Sequence, residues 1–460
     1  MKSRAMASIR TAMAPTPTDR PPVDGTPGSA RRGQAAGRRL QVLQRGFFPA
    51  YVVWELTLAC DHACRHCGSR AVVAREHELT TDQALTVVKE LAALGAREVV
   101  LIGGEAYLHE GFLTIVAALR DAGLVVVMTT GGAGITPDLA RDMIRAGMSR
   151  VSVSIDGLRE RHDAMRAKAG SFEQASAALG HLRAAGLEIA ANTNLNRTNQ
   201  QDLEGLYDHL RGLGVASWQV QLTAPLGRAA DHPEMLLQPF DLLDLLPRID
   251  RLKQRGWREG LLIMPGNNLG FFGPEELRLR SQRPGDGDSF GGCQAGRFVM
   301  GIESDGAVKG CPSLPTAAYV GGKVAAGTSL RTIWRDAPEL QFTRGDVPLW
   351  GHCATCAFAE VCRGGCNFTA HAFFGRPGNN PYCHHRALQL QRRGLRERIV
   401  PHEPAPGTPF DHGRFMLVEE PFDAPEPATA AYDLVQLRRQ RARAGSTVTA
   451  GRRSPGPADR

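Results

Sequence analysis

The chain has 460 residues, long enough for two or three domains and for a core that needs no covalent staples. Its net charge of +8 sits at the ends: residues 1–46 hold nine Lys or Arg against Asp19 and Asp24 (+7), residues 427–460 hold seven Arg against Asp433 and Asp459 (+5), and the middle is left at 8 − 12 = −4. That distribution argues against a nucleic-acid face on the folded part, and apolar runs no longer than "LVVVM" (124–128) argue against a bilayer-spanning helix.

In chain order, residues 1–46 read as a disordered basic tail rich in Pro, Gly, Ala and Arg, with prolines that break any amphipathic targeting helix. No charged-then-apolar signal opens the sequence, so a reducing, cytoplasmic setting is expected. Over 47–235 a β-branched run, a Gly or polar turn and an amphipathic helix recur. Strands are predicted at 51–58, 98–104, 124–130, 150–157, 187–194 and 217–223, with helices between them such as 80–95, opened by a Thr cap and closed by Gly. Six strands alternating with helices imply parallel pairing, hence an α/β open sheet or partial barrel with its reactive groups at the C-terminal strand ends. Cys60 follows the first strand and Gly103 to Glu105 the second; Ser154 and Asp156 close the fourth, and Asn192 to Asn194 the fifth. A helical bridge over 236–289 leads to a small cysteine-rich domain over 290–392, and then to a C-terminal extension, 393–460, whose end again reads as disordered.

All ten cysteines fall into two sets. Cys60, Cys64 and Cys67 form C-x3-C-x2-C in "CDHACRHC", while Cys293, Cys311, Cys353, Cys356, Cys362, Cys366 and Cys383 lie downstream. Disulfides fail for the trio on compartment and on the odd count. Structural zinc wants four ligands, and only His62 or His66 offers a fourth in this loop. An iron-sulfur cube has four irons, so three thiolates leave one iron open to a ligand that is not protein, which accounts for a set that stops at three.

With "GGE" (103–105) after the second strand, this trio resembles the radical S-adenosylmethionine enzymes, whose fold is a partial (β/α)6 barrel of the TIM type. The resemblance implies a catalytic [4Fe-4S] cluster on Cys60, Cys64 and Cys67, with S-adenosylmethionine on its open iron. It also implies cofactor contacts from Gly103, Gly104 and Glu105, from Ser154 at the ribose, and from Asp156, Asn192 and Arg166. One departure is His66, at a position that is usually aromatic and packs on adenine. The seven downstream cysteines resemble the SPASM extension of peptide-modifying members, which implies two auxiliary clusters of the [4Fe-4S] type. One would lie on Cys353, Cys356, Cys362 and Cys383. The other would lie on Cys293, Cys311 and Cys366, completed by an Asp, Glu, His or water or left with an iron open to substrate; His352, His384 and His385 read as polar surface and are the candidates if a His serves. The rival is a pair of zinc sites, for which seven thiolates is an awkward count.

The implied activity is reductive cleavage of S-adenosylmethionine to a 5′-deoxyadenosyl radical that takes a hydrogen atom from a residue of a ribosomal precursor peptide, with the auxiliary clusters carrying electrons. Trp218, Gln219, Gln221 and Arg228 stand where substrate could be touched; core packing is the alternative for Trp218 and a surface salt bridge for Arg228. "SWQVQLTAPLGRAADHPEMLLQP" and "GCPSLPT" resemble a splicease subgroup that excises tyramine at a Tyr-Gly site and leaves an α-keto-β-amino amide. The alternatives are a thioether or carbon-carbon crosslinking maturase, a Cys or Ser oxidase like the sulfatase maturases, a noncatalytic iron-sulfur electron carrier, and a zinc-dependent binding protein. Expected partners are the precursor peptide, a separate leader-recognition protein and a flavodoxin or ferredoxin-type reductant, with no nucleic acid and no membrane.

Overall fold

The computed structural model describes residues 46–426 except 325, 326, 343 and 346; the two tails read as disordered lie, but for Gly46, outside the described residues. The predicted strands form as β1 (Tyr51–Glu55), β2 (Glu98–Ile102), β3 (Val125–Thr130), β4 (Arg150–Ser154), β5 (Glu188–Leu195) and β6 (Ser217–Leu222). Between them run α1 (Thr81–Leu94), α2 (Phe112–Asp121), α3 (Pro137–Ala146), α4 (Arg159–Arg166), α5 (Ser171–Ala184) and α6 (Leu203–Gly212). Their ends follow from local chemistry. In α1 the Thr80 hydroxyl accepts from the Gln83 amide, the Gln83 side chain accepts from the Thr80 amide, and Gly95 closes the helix at φ 83°.

After α7 (Leu242–Glu259) comes β7 (Leu262–Pro265), a seventh parallel strand that pairs with β6. Sequence periodicity did not show it, because four residues are too few to display a period. Beyond it, β8 (Val299–Ile302) pairs parallel to β1, and β9 (Ala307–Lys309) and β10 (Val320–Lys323) follow antiparallel. The ten strands make one sheet in the order β10-β9-β8-β1-β2-β3-β4-β5-β6-β7, so the cysteine-rich region is built outward from the free edge of β1. It continues through α8 (Asn367–Phe374) and α9 (His384–Arg392) to a two-stranded ribbon, β11 (Leu395–Glu403) with β12 (Arg414–Pro421). No helix among the described residues is long and apolar enough to cross a membrane.

The core lies between the sheet and its helices, and strand alternation decides which side chains enter it. Trp218, Val220 and Leu222 of β6 are buried in that layer; the Trp218 ring packs near Tyr207 of α6, and its indole N–H donates to the Thr193 hydroxyl at 2.8 Å. Trp218 is therefore a core residue. Gln219 and Gln221 take the opposite, concave face, where register aligns Ser154, Asn192, Gln219 and Met264 in one row. Trp218→Ala should cost about 3–5 kcal/mol in denaturant unfolding by leaving a cavity, and Gln219→Ala should leave stability nearly unchanged.

Candidate functional site

Between β1 and α1 the chain forms no helix and only one isolated bridge, Ala59 to Val72. Cys60, Cys64 and Cys67 sit on this loop, at the C-terminal end of β1. The turn is wound by the Cys67 amide donating to Cys64 O (3.3 Å) and the Arg70 amide donating to Cys67 O (3.4 Å). Arg228, from the segment after β6, clamps it: its Nε donates to Cys64 O at 2.6 Å, its Nη2 to Ala71 O at 3.2 Å and its backbone amide to Cys67 O at 2.9 Å. Arg228 is thus tied to the cysteine loop, and among the described residues it makes no salt bridge. Burial pushes the Cys60 thiol up to about 12 and raises that of Cys64. Such a thiol is no nucleophile at neutral pH; it waits for a metal to take its proton.

Gly103 and Gly104 lie against this loop as a short extension of the β1–β2 pairing. The Gly104 amide donates to Thr57 O at 2.7 Å and the Glu105 amide to Ala59 O at 2.8 Å. A Cβ on Gly103 would meet Thr57 O at 2.3 Å and one on Gly104 would meet Ala59 O at 2.1 Å, so both positions need glycine for close backbone approach. Glu105 is buried, and its carboxylate accepts from the Thr130 hydroxyl (2.5 Å) and the Gly131 amide (2.6 Å) at the end of β3. Burial pushes its carboxyl up to about 7 against the pull of those hydrogen bonds. One ligand atom each from Cys60, Asp61, His62 and Glu105 lies within 4.8 Å of the others, and Tyr107 donates to Asp61 at 2.7 Å. Sequence reading missed Thr130 and Tyr107; the polar end of β3 was the only signal for the first.

Asp156, just past β4, is the second hub. One carboxylate oxygen accepts from the Asn194 amide at 2.8 Å; the other faces Arg166 Nη2 at 2.6 Å and His66 Nε2 at 3.3 Å. Burial alone would raise its carboxyl, but Arg166 and then His66 hold it well below the usual carboxylate range. Arg166, at the last turn of α4, also points Nη1 at the Cys64 sulfur, 3.6 Å away. Ser154 and Asn192 sit side by side on the concave face near this hub, with Asn192 reaching Thr129 at 3.5 Å.

The downstream cysteines gather in two places. Cys353, Cys356, Cys362 and Cys383 line a single cavity with His352, His385, Phe272 and Phe358. Cys311 is pushed up to about 12 by burial and by its neighbours Cys293 and Cys366, which marks those three as a second group. His352 and His385 thus border the four-cysteine set, and His384 is buried beside Glu275 at 3.4 Å. Among the described residues neither downstream set draws three sulfurs to within 4.8 Å.

The pattern of the Radical SAM superfamily matches residues 54–210. An AdoMet-dependent heme synthase of Methanosarcina barkeri is 30% identical over 361 residues, covering 74% of this chain and 97% of that protein. The chain belongs to the radical SAM superfamily. The mycofactocin maturase MftC of Mycolicibacterium smegmatis is 29% identical over 358 residues, 76% of this chain and 86% of that one. The crystal structure of Streptococcus suis SuiB bound to precursor peptide SuiA shares the fold, with TM-score 0.56 and 15% identity over 81% of this chain and 84% of that one.

Radical SAM enzymes use S-adenosylmethionine and a [4Fe-4S] cluster, and the residues here fit both. Three buried or half-buried thiols share one loop, and two polar atoms at the same mouth, Arg166 Nε and His66 Nδ1, are buried without a hydrogen-bond partner among the described residues. Cys60, Cys64 and Cys67 would hold the cluster, while Gly103, Gly104, Glu105 and Arg166 would border the nucleotide. Gly104→Ala should abolish S-adenosylmethionine binding in equilibrium dialysis, since the methyl displaces Ala59. Between pH 4.5 and about 7 folded Glu105 keeps a proton that the unfolded chain releases, so its contribution to stability falls as pH rises through that window. Glu105→Gln should remove this slope, worth roughly 3 kcal/mol in full, when unfolding of the cofactor-free proteins is compared from pH 5 to 8.

Proposed function

We propose that this radical SAM enzyme is a maturase of a ribosomal precursor peptide. The observation that carries the reading is the gathering of seven downstream cysteines into sets of four and three. These would be the sites of two auxiliary clusters that conduct electrons to or from the reacting peptide. When bound, the first cluster supplies the electron that splits S-adenosylmethionine into methionine and the 5′-deoxyadenosyl radical, the agent of hydrogen abstraction. The chain's part is to place and screen: Asp156 orients His66 and Arg166, and the barrel wall keeps water from the radical's path.

The concave face supports a peptide in particular. Asn192, Gln219, Asn194 and Gln221 align as neutral amides, each able to donate and accept toward a peptide backbone. A second reading, a haem-forming reaction, has behind it the similarity to heme synthases. A porphyrin's carboxylates would call for free cations, whereas Arg166 and Arg228 at this mouth are committed to Asp156 and to the cysteine loop. Within the peptide reading, the finer step is excision of tyramine at a Tyr-Gly site, with crosslinking as the alternative. A separate leader-recognition protein and a flavodoxin or ferredoxin would complete the system.

Anaerobically purified protein should be brown, carry iron and sulfide for three clusters and no zinc, and yield 5′-deoxyadenosine with dithionite. Mass spectrometry of a co-expressed precursor should show loss of tyramine mass; loss of two hydrogens would assign crosslinking. An unaltered peptide together with haem formation, read by absorbance, would replace the maturase reading with the second one.

A further inference from the structure

The C-terminal extension reaches back to the cysteine loop of the first site. Residues 404–413, between β11 and β12, lay one backbone contact against that loop and two against residues 226–227 of the segment that clamps it. The Phe410 amide donates to Gly68 O at 3.1 Å, the Gly227 amide donates to Asp411 O at 2.7 Å, and His412 bridges Leu226. At the centre is Arg70, three residues after Cys67, held at φ 52°, a conformation that non-glycine residues avoid. Its Nε donates to Asp411 Oδ1 at 2.9 Å, its Nη1 to Asp231 Oδ2 at 2.5 Å, and its Nη2 to Gly227 O at 2.9 Å. Asp411 is in turn fixed by the Gly407 amide and by the Thr408 amide at 2.9 Å. Gly227 packs so tightly that a Cβ there would meet Gly68 O at 2.2 Å. The far side of the arm is pinned as well, because the Lys309 ammonium, two residues before Cys311, lies 4.0 Å from the Phe410 ring centre.

We infer that this arm is a wall of the first cluster site and that Asp411 is a positioning residue, acting through Arg70 to set the backbone that presents Cys67. A left-handed arginine beside a ligand-bearing turn persists only if its surroundings over-determine it, and here two carboxylates and a carbonyl do so, one carboxylate arriving from 341 residues away. The inference is independent of which substrate the enzyme takes; it rests on Cys60, Cys64 and Cys67 holding the cluster.

The test uses the full chain with clusters reconstituted anaerobically, as wild type, Arg70→Ala, Asp411→Ala and the double variant. The dithionite-reduced electron paramagnetic resonance signal is titrated with S-adenosylmethionine, and bound iron and the thermal midpoint are recorded beside it. Each single variant should weaken the nucleotide-induced change roughly 10–100-fold, as loss of an outer partner of a metal ligand does. The double variant should be no worse than Arg70→Ala, since both act on one element. Asp411→Asn, which keeps the shape of the side chain, serves where Asp411→Ala does not fold. A normal titration in either Asp411 variant, or losses that multiply in the double variant, overturns the proposal. A wild-type protein with no nucleotide-responsive signal overturns the cluster assignment itself, and the proposal with it.

Discussion

Four guanidinium groups give shape to a segment that has almost no backbone ladder of its own. Arg70 ties the cysteine loop to Asp231 and Asp411, Arg228 ties it to the segment after β6, and Arg166 reaches Cys64 from α4. Arg75 fastens the loop's far end to Glu55 and Glu303, each at 3.0 Å, where β1 meets β8. A planar fork with five donors can span several carbonyls and carboxylates at once, which a lysine ammonium cannot. The pairs are partly or wholly buried, where deleting one partner strands the other without solvent. Rigidity at the cysteines is therefore supplied by guanidinium groups rooted outside the trio, through carboxylates, carbonyls and one cysteine sulfur.

The same economy divides the sheet. On its outer side β-branched and aromatic residues pack under the helices; on its concave side the strand ends are polar and mostly uncharged. Asp156 and Glu105 are two of the carboxyls at the mouth, where Asp61 lies beside Glu105, and their environments drive the two apart. Arg166 first and then the hydrogen-bonded His66 hold Asp156 well below the usual carboxylate range, while for Glu105 burial outweighs the hydroxyl and amide beside it and pushes it up to about 7.

Much of this was legible in the residues. Six strands and their helices emerged from period and capping, because tertiary packing reinforces what those signals already favour. "GGE" was legible as a motif at the end of the second strand; why it needs glycine was not, and the structure supplies the reason in Thr57 O and Ala59 O, which a Cβ would meet. What stayed hidden was non-local. Nothing near Arg70 in the sequence points to Asp411, and the commitment of Arg228 to the cysteine loop depends on a crossover that spacing does not encode. Trp218 was open in the sequence between two roles, and alternation within β6 decided it once β6 was seen to face α6. The short strands β7 to β10 escaped because three or four residues among glycines carry no period.

The pairing of β8 on β1 has an architectural meaning. In most open α/β sheets the first strand lies inside the sheet or ends at a protected margin, whereas here it is flanked by a strand some 250 residues downstream. A chain ending before the cysteine-rich region would present β1, the strand leading into Cys60, as a raw hydrogen-bonding border inviting other chains. The barrel and its cysteine-rich appendage are therefore joined through one continuous sheet, with β8 sealing that border.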